Sequence, residues 1–256
     1  MSLILAIPQV SQTTRAIPPT VLCQTVKAEG QDSIQEQIKT TYQASIHSNT
    51  TTRMQNLIDE LSIKYQTTNN PLYLYWTAYA RYYNSKIYSS KKDKKNAHRQ
   101  IKKAIDALET LPTKNAEDHA LLSMLYSSSC QFTTFPKVIF TSKKAMKHAE
   151  QALKQDNNNL RVYYVMANND YYRPERHGGG KVVEKHALKA LSIQNKKSKN
   201  SNHSNHPTWG REEAYELIVN YYIRKKDIPK AKKYADRGLL EYPRSIPLNK
   251  LKRQIQ

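Results

Sequence analysis

Residues 211–243 read REEAYELIVNYYIRKKDIPKAKKYADRGLLEYP, and the spacing inside this stretch decides the fold. Tyr215, Val219 and Tyr222 stand four and three apart, and Ala231, Ala235 and Gly238 repeat the same spacing. Both sets follow the helical period. Two helices approach closely only where small side chains stand at the crossing and large rings fill the gaps beside it. The first set supplies the rings and the second the small seam. Arg224-Lys225-Lys226-Asp227 makes a tight turn between them, and Pro243 closes the pair.

The same unit recurs toward the amino terminus. Trp76, Ala80 and Tyr83 precede Ala97, Ile101 and Ala104; Leu122, Ser123 and Tyr126 precede Ala145, Ala149 and Ala152; Tyr163 and Ala167 precede Val183, Ala187 and Ala190. A lone hairpin of this kind cannot bury its apolar face, so such hairpins stack. These first three copies are expected to carry long internal loops near 84–96, 131–142 and 173–181. A degenerate helix pair occupies 32–70, and the repeats fill 71–245. A polar linker runs from 195 to 207. The closing helix, 246–256, sets Ile246, Leu248, Leu251 and Ile255 among Lys and Arg, as the polar end of a stack requires.

Composition agrees with an all-α chain. With only 6 Gly in 256 residues, neither a turn-rich β-sandwich nor a glycine-rich nucleotide fold is favoured. Tyr provides 18 of the aromatic residues, so the interior must use amphipathic rings. No apolar run approaches the roughly 18 residues of a membrane span. Residues 1–31 are expected to be a disordered tail or a degenerate export signal, which leaves the compartment open between cytoplasm and periplasm.

The repeated pattern resembles the tetratricopeptide repeat, matched over one full unit at 212–245 and on both helices of the three earlier copies. Asp170 departs from it, standing where an aromatic is expected. The Gly-Gly-Gly loop at 178–180 is similar to that of an uncharacterised bacterial subgroup. The resemblance implies a right-handed α-solenoid and a non-catalytic scaffold that takes a protein or peptide partner in its concave groove. First helices line that groove in such repeats. One step past the small residues Ala80, Ala167 and Val219, the expected groove residues are Arg81, Asn168 and Asn220, with Arg161 one turn earlier on its helix. A carboxylate-clamp subset would place cations at Thr77 and Tyr164 and an Asn at Met124, so recognition of a free carboxyl end is not expected.

Other chemistry is thin. Gly178-Gly179-Gly180-Lys181 lacks the preceding strand and following Ser or Thr of a phosphate loop, and reads as a turn. His203 and His206 lack further ligands, and no metal or cofactor is expected. Cys130 reads as an inert thiol. Glu213 and Glu216 read as exposed carboxylates near a helix start, favoured there by the helix dipole. No nucleophile–base arrangement emerges, so no enzyme is expected. The charge is the remaining signal: 41 basic against 21 acidic residues give a net +20. Lys225, Lys226, Lys232 and Lys233 head a basic convex surface, for which nucleic acid or an anionic surface is the alternative partner.

Overall fold

The structure, a computed structural model, describes residues 33–194 and 205–255. The expectations for residues 1–31 and for most of the 195–207 linker lie outside them. Every regular element is helical: α1(Ile34–His47), α2(Thr52–Thr68), α3(Pro71–Ser90), α4(Lys94–Glu109), α5(Ala116–Ser129), α6(Lys137–Gln155), α7(Leu160–Tyr172), α8(Val183–Ser192), α9(Arg211–Arg224), α10(Ile228–Glu241) and α11(Ile246–Gln254). Each helix packs on its chain neighbours, and the first helices α3, α5, α7 and α9 also meet in series. The fold is an all-α solenoid.

Polar caps set the helix starts. Asn70, Asp93, Asn115, Asn159, Asp227 and Ser245 each accept a hydrogen bond from a backbone N–H two or three residues on. The small seams are buried throughout: Ala97, Ala104, Ala145, Ala149, Ala152, Ala187, Ala190, Ala231 and Ala235. Gly238 completes the last one, since a Cβ there would stand 3.0 Å from Tyr215 Cβ and 2.9 Å from Leu248 Cδ1. The tyrosines satisfy their hydroxyls on carboxylates of second helices. Tyr126 donates to Glu109 (2.9 Å), Tyr222 to Glu184 (2.7 Å) and Tyr215 to Glu241 (2.6 Å). A core of amphipathic rings is thereby buried without orphan polar atoms at these points.

Two of the three loops differ from their expected extent. α3 continues to Ser90, and only residues 91–93 separate it from α4. That turn is Lys91-Lys92-Asp93, a copy of Lys225-Lys226-Asp227. Lys92 and Lys226 share left-handed φ values of 61° and 60°. The N–H of each Asp bonds a tyrosine carbonyl, Tyr88 and Tyr222, at 2.9 Å. α6 starts at Lys137, so the 131–142 loop shrinks to a short 3-10 turn at Cys130–Phe132 and the residues up to 136. The third loop is as long as expected. Its three glycines are needed, two for positive φ (81° at Gly178, 79° at Gly180) and Gly179 because a Cβ would stand 1.9 Å from the Arg173 carbonyl oxygen. Asp170, the misfit of its repeat, is the buried anchor of this loop. Its carboxylate accepts from Val182 N–H at 2.7 Å, and its carbonyl from Gly180 N–H at 3.0 Å.

The stack closes on itself. Lys39 of α1 pairs with Glu212 at 2.8 Å and Glu213 at 3.6 Å on α9. Gln35 Oε1 accepts from the N–H groups of Thr208 (2.8 Å) and Trp209 (2.9 Å). Trp76 Nε1 donates to the Asn205 carbonyl at 2.8 Å, and Trp209 Nε1 to the Tyr75 hydroxyl at 2.7 Å. The end of the expected linker, from 205 on, is thus docked against the first helices. The concave side becomes a cup with Trp209 at its bottom, where an open groove was expected.

Candidate functional site

The cup encloses about 780 Å³. Its size falls within the roughly 300–1,000 Å³ of ligand clefts. Tyr79 stacks on Trp209 with ring centroids 5.6 Å apart, and Tyr164 meets the same indole edge-on at 6.1 Å. These three rings are buried, as are Tyr83 and Met124, whereas Tyr172 and Met146 at the mouth are exposed. The cavity is therefore aromatic at depth and open at one side.

Lys86 and Glu216 both line it, together with Glu213 and Arg173. Lys86 of α3 holds its ammonium 5.3 Å from the Tyr83 ring centroid, 5.4 Å from Tyr82 and 5.7 Å from Tyr42. Tyr82 foremost, then Tyr83, Tyr42 and Glu216, raises its pKa above the usual lysine range against the opposing effect of burial. Ring faces attract the cation. Glu216 of α9 also lines the cup. Burial first, and then the neighbouring charge of Glu213, push its carboxyl up to about 8. At neutral pH Glu216 is mostly a neutral donor, and Lys86 keeps most of its positive charge. The expectation of a simple exposed carboxylate fails at both acids. Glu213 instead accepts from the Gly210 N–H at 2.6 Å, starting α9.

Of the four expected groove residues, Asn168 and Asn220 line the cup. Asn220 Nδ2 donates to its own helix at the Glu216 carbonyl, 2.9 Å. Arg81 does not line the cup; its guanidinium donates to Gln100 Oε1 of α4 at 3.1 Å. The shared Lys-Lys-Asp turn gives the reason. With Lys92 aligned on Lys226, Tyr215 corresponds to Arg81, Val219 to Ser85 and Asn220 to Lys86. Arg81 thus occupies the seam side, and the position one step past the small residue is Lys86. Arg161 forks onto Glu117 and points a further N–H at the Trp209 carbonyl, 3.4 Å away. It supports the bottom of the cup from below. The inward positions of the four repeats are Lys86, Met124, Asn168 and Asn220, all lining one cavity.

No protein-family model matches the chain, and no curated protein matches it in sequence. Its fold resembles that of a haemophore. The solved structure of the HusA haemophore from Porphyromonas gingivalis is 19% identical with a TM-score of 0.54, covering 77% of this chain and 96% of that one. YrrB, a tetratricopeptide-repeat protein with an unusual peptide-binding site, is 13% identical with a TM-score of 0.39, covering 87% and 98%. BtubC from P. vanneervenii is 14% identical with a TM-score of 0.41, covering 82% and 73%.

Lys225, Lys226, Lys232 and Lys233 are exposed on the α9–α10 turn and α10. Cys130 lines the cup, and burial raises its thiol pKa. Among the described residues no three His, Cys, Asp or Glu side chains gather as a metal site, and no helix is long and apolar enough to cross a membrane.

Proposed function

We propose that this chain is a non-catalytic binding protein whose cup holds one compact, flat, anionic aromatic molecule of the tetrapyrrole class. The observation that carries the reading is a cavity, open at one side, walled by tyrosines around the ammonium of Lys86. A planar macrocycle stacks on such rings, while an acidic side group reaches the ammonium and a hydrogen bond from neutral Glu216. The fold shared with a haemophore supports the choice of ligand class. An extended peptide, the partner implied by the repeat resemblance, needs a through-running groove, and Trp209 blocks this one. A peptide that enters end-on would meet Asn168 and Asn220 and compete for the same space.

Titration of the full chain with protoporphyrin IX tests the reading. Trp209 stands at the bottom of the cup, so its fluorescence should be quenched to saturation at one porphyrin per chain. Unchanged tryptophan emission on addition of porphyrin would refute it.

A further inference from the structure

The amino end of α6 carries apolar groups that the core does not use. Phe135 is 78% exposed and Phe140 65%, with Ile139 also exposed beside them. Val138, Ser142, Ala145 and Met146 of the same helix line the cup, so helical spacing turns Phe140, Lys143 and Lys147 away from it and sets Ile139 at the border beside Met146. Residues 131–149 contain no Asp or Glu. Lys137, Lys143 and Lys147 make no ion pair among the described residues. Exposed aromatic side chains ringed by unpaired lysines, on a helix that starts at that point, match an interface that is apolar in depth and anionic at its surface.

We propose that this face of α6, with Phe135, is a docking surface for an anionic lipid bilayer, which it enters with Phe135, Ile139 and Phe140 while Lys137, Lys143 and Lys147 meet the headgroups. Charge complementarity selects the lipid: a neutral apolar partner would leave three unpaired ammonium groups at its edge. The cup mouth, at Met146 and Tyr172, borders the docked face. The inference does not depend on what the cup holds.

Co-sedimentation of the full chain with lipid vesicles tests it. Binding is expected to vesicles of equal phosphatidylcholine and phosphatidylglycerol, and not to phosphatidylcholine alone. Phe135→Ser with Phe140→Ser should weaken the partition about tenfold or more, as loss of two buried rings requires. Charge reversal at Lys137, Lys143 and Lys147 should abolish it, whereas the same reversal at Lys225, Lys226 and Lys233 should leave it within about threefold. Helical circular dichroism of each variant checks that it is folded. Three results overturn the proposal: no binding to anionic vesicles, equal losses from the two charge reversals, or full binding by the double serine variant. A dimer in light scattering that the serine pair dissolves would instead assign this face to a second copy of the chain.

Discussion

The hairpins α3–α4 and α9–α10 turn with the same three residues, Lys-Lys-Asp, and bury the same small seam, Ala97 and Ala104 in one and Ala231 and Gly238 in the other. Their inward positions differ. One presents Lys86 and the other Asn220. α3 is also longer at its start, 20 residues against 14, which places Tyr75 and Trp76 where they meet Trp209 and Asn205. Turn and seam answer to packing and leave little freedom. The inward position answers to nothing in its own hairpin, so specificity is free to reside there.

The seam half of this comparison breaks most violently. Ala97→Trp or Ala231→Trp overpacks a fully buried contact and should cost about 1–3 kcal/mol or more, read as a lower urea midpoint. Because Ala97 and Ala231 do not line the cup, porphyrin affinity of the still-folded variant should stay within about threefold.

A smaller effect is expected on the cup side, and it depends on pH. Glu216 titrates near 8 in the folded chain against an ordinary 4.5, so the native state holds a proton that the unfolded chain releases between those values. Stability is therefore lost as pH rises from about 4.5 to 8 and is flat above. Glu216→Gln should remove this slope, leaving the variant more stable than wild type at pH 8–9 by about 1–2 kcal/mol after allowance for solvent in the open cup, with no gain below pH 4.5. A variant with the wild-type pH slope would place the titration elsewhere. Smallest of all, Asn168→Ala with Asn220→Ala should leave the melting temperature unchanged, since neither amide bonds another helix.

The seams were legible because alanines at helical spacing are a local demand that one segment states by itself. The cup was legible only in part. The rule that inward residues follow the small residue of each first helix holds at Asn168 and Asn220, whereas on α3 the small residue that sets the register is Ser85 and not Ala80, which moves the inward position from Arg81 to Lys86. Trp76, Ala80 and Tyr83 imitate the seam spacing, while the repeated Lys-Lys-Asp turn, which sets the true register, was visible in the chain and points to Lys86. Arg161 could not be read from sequence, because its partner Glu117 lies 44 residues away. Closure by Lys39, Gln35 and Trp209 is likewise a product of curvature accumulated over the stack, which no single repeat encodes.

The most direct test makes the first hairpin resemble the last at the inward position. Lys86→Asn should weaken protoporphyrin IX binding about tenfold at pH 7 through loss of one charge-assisted contact, with the melting temperature held or modestly lowered as the cation leaves its tyrosine rings. Tryptophan quenching by protoporphyrin IX, titrated against wild type and Lys86→Asn under the same conditions, measures this. A tenfold rightward shift is the predicted result; superimposable curves would contradict the assignment of Lys86 as the cation that recognises the ligand.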